Sequence, residues 1–191
     1  RGARLMGANL VEVTLGETSF VNCLLNDAIA DGVDFRGCDL TDANFSGASM
    51  KRARFDGVVA RQINLCDALL DGATLKSISA EGADAKEASL VGADLTGADL
   101  RSAALARAVL RGCIAREARL DGARLDGADL RDSSFADASL RHADLSHTKL
   151  RGSSFAGAQL VGADLHRADD NGIDFSTANL RDAKQTDVER A

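Results

Sequence analysis

Residues 93–102 read Ala-Asp-Leu-Thr-Gly and then Ala-Asp-Leu-Arg-Ser, and this five-residue spacing runs through almost the whole chain. Every fifth residue from Leu5 to Leu180 lies in one phase, and of these 36 central positions 22 are Leu, seven are Phe and one is Met50. Two residues before each central position lies a small slot, where 24 of 37 residues from Ala3 to Ala183 are Ala and seven are Cys, Ser or Thr. A single period of five therefore organises the sequence.

A period of five fits neither a helix nor a flat strand. Successive Leu residues would step by about 140° around a helix and leave it without an apolar face. In a flat strand they would alternate between the two sides, because five is odd. The backbone must therefore turn once per unit, so that every fifth side chain points toward a common axis.

Four units carry a resemblance to a known family. Residues 93–97, 98–102, 128–132 and 163–167 resemble the A(D/N)LxG pattern of pentapeptide-repeat proteins, and related units cover residues 3–183. The resemblance implies an all-β fold, a right-handed quadrilateral parallel β-helix of about nine coils with about 20 residues in each, a solenoid whose lumen is filled by Leu and Phe. We expect this solenoid over residues 1–183, a polar tail over 184–191, and a chain that belongs to a larger protein.

The sizes of the side chains along the predicted core support the assignment of central positions and small slots to the lumen. Central positions are undersized or charged at Ala30, Ala60, Ala80, Ala85, Ala115 and Asp170, and small slots are oversized at Val13, Val33, Val58, Ile63, Ile78 and Ile173. Five of these six large residues flank a deficient centre, as close packing requires. We expect residues 60–90 to be the softest interior stretch, and Asp170 to lie in a bulge or fraying turn.

The phenylalanines predict a second packing feature. Two sets fall on one side of the coil, and the members of each are separated by one or two whole coils: Phe35 with Phe55, and Phe135 with Phe155 and Phe175. We expect each set to form a ladder of stacked rings in the lumen.

Composition excludes several functions. The net charge of −6 disfavours direct nucleic-acid binding, and no apolar run approaches the ~20 residues of a membrane span. Cys23, Cys38 and Cys113 fall in small slots and Cys66 in an outward one, with no metal-ligand spacing, and four free thiols fit the cytoplasm or delivery from it. The outward His142, His147 and His166 lack a third ligand, so we expect no metal, no cofactor and no catalytic site.

The outer surface offers one candidate docking face. Positions one coil apart stack in columns, which places Ile29, Leu69, Val109, Arg111, Arg131 and Arg151 on one wall, with Val11 and Val91 beside them. Exposed apolar residues where the family pattern prefers Asp or Asn indicate a docking surface, although solenoid walls also tolerate such scatter. Acidic columns, such as Asp39 with Asp99, or Asp84 with Asp144 and Asp164, contain gaps.

Two functions remain as hypotheses. The first is a non-catalytic interaction or scaffold module of a bacterial protein, which presents flat solenoid faces to a protein partner that the sequence does not identify. The alternative is a DNA mimic that binds a type II topoisomerase (gyrase), as the fluoroquinolone-resistance branch of the family does. End-to-end stacking would permit a homodimer, but the polar tail lacks the hydrophobic dimerisation module of some family members.

Overall fold

The computed structural model describes residues 2–169 and 171–185, and among these it contains no helix and no strand longer than one bridge residue. The bridges begin with Arg4 and end with Lys184, and each joins a residue in parallel to the one 20 positions later. Two turn or bend residues follow each central position. Four such corners therefore close one coil, and the period of five predicted from the sequence is confirmed.

The four walls of the coil are named from their first central residues. Wall A begins at Leu5, wall B at Leu10, wall C at Leu15 and wall D at Phe20, and each continues at every twentieth residue. Lys184 still pairs with Asp164 on wall A. Asp170 and residues 186–191 lie outside the described part of the chain, so the expectations for Asp170 and for the end of the tail stay predictions.

The corners explain where the glycines fall. At each regular corner the central C=O accepts a hydrogen bond from the N–H three residues later, as between Leu95 and Ala98 at 2.9 Å. The second corner residue then takes a positive φ, 66° at Gly97. Glycine adopts this conformation without steric cost, which accounts for the 17 of 18 glycines that stand two residues after a central position.

The lumen is filled as the sequence predicts. The undersized Ala60 and Ala80 are at most 2% exposed, and so are the oversized Val58, Ile63 and Ile78 beside them. Large small-slot residues thus lie inside the coil where the central residues leave room. For Val13 this expectation is wrong: it is 45% exposed, because it lies in the first described coil, where the small slots at Ala3 and Thr18 are exposed as well.

The phenylalanine ladders lie on wall C. The rings of Phe35 and Phe55 stack with centroids 4.8 Å apart and an interplanar angle of 5°, and those of Phe135 and Phe155 at 5.1 Å and 7°. Phe175 continues the second ladder at 5.6 Å with a tilt of 33°. The predicted ladders are confirmed, with a looser final step.

A second regularity concerns the N–H of the residue after each centre. Where Asp or Asn precedes the centre, its side chain accepts this hydrogen bond, as Asp94 does from Thr96 at 3.1 Å. At four positions where Ser or Thr stands there instead, an Asp from the preceding coil accepts both the hydroxyl and this N–H. Asp121 accepts the Ser139 hydroxyl at 2.5 Å and the Arg141 N–H at 2.9 Å. The same clamp recurs at Asp31, Asp56 and Asp71.

Asp126 occupies the clamp position without a clamp partner. At the place in the next coil where a clamp needs a hydroxyl stands Asp144, which offers none and accepts the next N–H itself. The Asp126 Oδ1 is buried with no hydrogen-bond partner among the described residues, and the Arg124 Nη2 lies 3.7 Å away. Asp121 and Asp126 therefore occupy the same repeat position, but only Asp121 accepts the two hydrogen bonds of the clamp.

We expect Asp121→Ala to lower the free energy of unfolding by about 1–2 kcal/mol, because a charged acceptor of two hydrogen bonds between coils is removed. Asp126→Ala is the control, and its free energy of unfolding should be unchanged or higher, since an unsatisfied carboxylate oxygen is relieved. Urea denaturation followed by circular dichroism measures both. Equal losses in the two variants would contradict the clamp.

Candidate interaction surface

Wall B carries the candidate docking column. The residues before its central positions are bridged in the order Ile29, Ser49, Leu69, Ser89 and Val109. Ile29 is 45% exposed, and Leu69 and Val109 are half-buried. The structure thus brings the three apolar residues onto one wall but separates them by serines, whose hydroxyls donate to clamp aspartates. The column is amphipathic and not continuously apolar.

The arginine column lies along the corner between walls B and C. Arg131 is not free: its Nε and Nη2 contact the two carboxylate oxygens of Asp129 at 2.7 and 2.5 Å. Hydrogen bonding from Arg131 holds the pKa of the Asp129 carboxyl below its usual range. Arg111 and Arg151 are exposed, and neither side chain has an ion pair or a hydrogen bond with any residue in 2–169 or 171–185.

Apolar side chains surround Arg111. Val91 precedes it by one coil in the same column and is 39% exposed. Val109 lies before it on wall B, and Ile114 follows it on wall C with 43% exposure. Ile114 lies outside the predicted docking face because it belongs to another wall. Its signal was available, since an Ile stands where the repeat pattern has Asp or Asn.

A crevice interrupts the ladder near the first described coil. Thr14 and Asp34 are not bridged, and the coil-to-coil hydrogen bonds that the register places between residues 12–17 and 31–36 are absent. The gap has a volume of about 440 Å³ between residues 12–16 and the stretch 32–36. Here Gly16, and not Glu17, takes the positive φ. Gly16 is the one glycine out of phase, so the distortion had a sequence signal.

The crevice has a polar rim. Asp34 accepts two hydrogen bonds from the Arg36 side chain, at 2.9 Å from Nε and 2.6 Å from Nη2. This pairing lowers the pKa of the Asp34 carboxyl to about 2. Asp34 therefore stays ionised at any physiological pH, but its charge is neutralised by Arg36 and, at 3.6 Å, by Arg54.

Histidines and acids do not assemble a site. The His147 and His166 rings lie 6.1 Å apart at the corner between walls A and B, but no group of three potential metal ligands occurs among the described residues. The acidic column of Asp84, Asp144 and Asp164 is interrupted by Ala104 and Arg124. Its predicted gaps are confirmed.

The cysteines divide by exposure. Cys23, Cys38 and Cys113 are buried in small slots, whereas Cys66 is half-buried on an outward position, and all four are free thiols. Burial raises the pKa of the Cys113 thiol to about 12.

We expect iodoacetamide at pH 8 to modify Cys66 well before Cys113, because alkylation needs an accessible thiolate. Cys113 should react only when the coils open, so its labelling rate should rise sharply at the urea concentration that unfolds the chain. Mass spectrometry of labelled peptides measures both rates. Cys66→Ser provides the control, since it should remove the fast phase alone. Modification of Cys113 in the folded chain at the rate of Cys66 would contradict the burial.

Comparison with known proteins agrees with this geometry. A family model described as pentapeptide repeats matches in eight copies, over residues 18–57, 63–101, 81–115, 93–132, 133–169 and 158–184. The chain belongs to the pentapeptide-repeat family. Members of this family form right-handed quadrilateral β-helices and are generally non-enzymatic structural or interaction modules.

Two solved pentapeptide-repeat structures are similar over most of the chain. HetL, a protein involved in heterocyst differentiation regulation from the cyanobacterium Nostoc sp. strain PCC 7120, is 27% identical, with a TM-score of 0.45 over 96% of this chain and 87% of that one. A trypsin-treated form of QnrB1, a plasmid-mediated fluoroquinolone resistance protein, is 18% identical, with a TM-score of 0.56 over 93% and 89%. At this identity the likeness to QnrB1 concerns the fold alone. The comparison with curated proteins found no match.

The described residues also bear on membrane insertion. Within them no helix has the length and apolar content that crossing a bilayer requires.

Proposed function

We propose that this pentapeptide-repeat chain is a non-catalytic interaction module, a rod of about nine coils over residues 1–183 that binds a protein partner through wall B. The observation that supports the proposal is the exposure of apolar side chains around Arg111, of which Val109 and Ile114 stand where the repeat accepts Asp or Asn without loss of the fold. Apolar surface flanking an arginine is typical of protein interfaces. Wall B is flat, which suits contact with a macromolecule better than capture of a small ligand.

The proposal is tested by placing acids on the docking wall. The double variant Leu69→Asp, Val109→Asp keeps the fold, because Asp is the common residue at this position of the repeat. It should lose the protein partners that the unmodified chain retains in a cross-linked pull-down. Val59→Asp is the matched control, since Val59 occupies the same repeat position on wall D and is 42% exposed. An unchanged set of captured partners in the double variant would rule out wall B.

The DNA-mimic alternative makes a separate prediction. A mimic of the duplex needs a run of negative charge, and Arg124 lies within the acidic column of wall A. A DNA gyrase supercoiling assay with and without a fluoroquinolone tests it directly. Protection of gyrase by a stoichiometric amount of the chain would favour the mimic, and no effect at excess would exclude it.

A further inference from the structure

Arg111 and Arg151 lie at the corner between walls B and C of an acidic protein without an ion pair among the described residues, and Lys51 and Arg52 lie at the same corner three coils before Arg111. The chain carries a net charge of −6, and Arg131 lies between Arg111 and Arg151 with its own charge matched by Asp129. Arg111 and Arg151 have no such match among the described residues. An anionic group bound at either arginine would therefore meet a cation whose charge no described residue matches.

The spacing of these two arginines restricts the geometry of the partner. They lie two coils apart, and with a strand spacing of about 4.8 Å their backbones are separated by about 9.6 Å along the rod. Residues seven apart on an α-helix lie on the same face with a rise of about 10.5 Å. Same-face residues of an extended strand recur at about 6.7 and 13 Å and fit less well. A helix parallel to the rod axis therefore presents two carboxylates in register.

The apolar neighbours extend this match along the axis. Val91 lies one coil before Arg111, about 4.8 Å away along the rod, and Val109 and Ile114 flank the same arginine. A helix whose first carboxylate meets Arg111 would place the side chain three or four residues earlier over this apolar cluster, since residues at that spacing share a face. The corner is thus complementary to a helix that carries, along its sequence, one apolar side chain followed by two carboxylates on the same face.

A nucleic acid fits this corner less well than a helix does. A duplex presents an unbroken series of phosphates, whereas Asp129, Asp132 and Asp169 lie among the basic residues of this wall. The paired Arg131 and Asp129 separate Arg111 from Arg151 and the nearby exposed Lys149, so the wall does not carry a continuous basic stripe. Discrete carboxylates match separated arginines, and a polyanion would meet the intervening acids.

We propose that the corner between walls B and C binds an acidic amphipathic helix, with two carboxylates seven residues apart on Arg111 and Arg151 and an apolar side chain on Val91, Val109 and Ile114. This inference rests on the proposed function and names the chemistry of the partner. It adds Val91 and Ile114 to the docking face.

A designed peptide tests the proposal. The probe is a fluorescent helix of alanine and glutamine, about 20 residues long because much shorter isolated helices are marginal in water. It carries a leucine, a glutamate four residues later and a second glutamate seven residues after that. Anisotropy at low ionic strength should detect binding to the chain.

The two arginines should contribute separately to this binding. Arg111→Ala and Arg151→Ala should each weaken it about three- to fivefold and the double variant about tenfold, as expected for exposed ion pairs. A peptide with its second glutamate moved two residues earlier, onto another side of the helix, should bind like the double variant.

Arg141→Ala is the matched control. Arg141 occupies the same repeat position on wall D, is exposed, and has no side-chain partner among the described residues, so its loss should leave the affinity unchanged. Affinity that is insensitive to Arg111 and Arg151, equal binding of the shifted peptide, absence of peptide binding, or tighter binding of a DNA duplex through the same arginines would each overturn the inference. Loss of captured partners in Leu69→Asp, Val109→Asp would then still uphold the broader proposal.

Discussion

Replacing Ile78 by alanine should lower the free energy of unfolding by about 2–5 kcal/mol. The repeat pattern taken alone predicts the opposite, because alanine fills 24 of the 37 small slots. Packing decides the sign: Ile78 is 2% exposed and lies beside Ala80, a central residue that is also buried. Without the isoleucine, the lumen at this level would be lined by two alanines and would contain a void. Urea denaturation monitored by circular dichroism measures the loss.

Two further variants separate volume from composition. Ala80→Leu combined with Ile78→Ala restores the common arrangement of the repeat and should recover most of the stability. Ala80→Leu alone should overfill the lumen at a cost of about 1–3 kcal/mol. Ile114→Ala serves as the control, because this isoleucine is 43% exposed and its loss should change stability by no more than about 0.5 kcal/mol. If the Ile78→Ala variant were as stable as the unmodified chain, Ile78 would not be filling the space that Ala80 leaves in the lumen.

Replacing Phe155 by alanine should cost about 3–5 kcal/mol. Its ring is fully buried and lies between Phe135 at 5.1 Å and Phe175 at 5.6 Å, so the substitution removes both the apolar area and two ring contacts. Because each coil of a solenoid contacts only its neighbours, amide hydrogen exchange should accelerate most between residues 135 and 175.

Phe155→Leu is the control for the ladder. Leucine occupies 22 of the 36 central positions, so it fits the lumen and should cost less than about 1.5 kcal/mol. Its exchange pattern should stay close to that of the unmodified chain. If the leucine and alanine variants were equally unstable, stacking of this particular ring and not filled volume would dominate the core.

The structural features that could be predicted from the sequence are those that depend only on the five-residue period. Once one phase points inward, the inward place of Ile63 and Ile78 and the ladder of Phe35 on Phe55 depend only on spacing. The distortion at residues 12–17 depends on where the backbone places its left-handed residue. Gly16 marked the site, but nothing local indicated a crevice. Val13 was misplaced for another reason, because the small slots of the first described coil are not covered by a second coil.

The candidate surface was less predictable than the core. Its columns follow from the constant register between coils, but the pairing of Arg131 with Asp129 depends on side-chain geometry that spacing does not fix. The clamp at Asp121 joins residues 18 and 20 positions apart. These separations do not follow from the five-residue period alone, because they depend on where the corner places the Asp side chain. Ile114 belongs to the patch across a corner, and the column of one wall does not include it.

The constant register also sets how such a protein can change in length. Because every described bridge joins positions that are one full coil apart, the gain or loss of a whole coil leaves all downstream side chains on their own walls. A change of one five-residue unit instead rotates everything beyond it by a quarter turn, which would move Arg151 out of line with Arg111. The distance between two recognition points can therefore be altered only in whole steps of about 4.8 Å. If a partner binds at Arg111 and Arg151 as proposed, a related rod could offer it only separations that are whole numbers of coils.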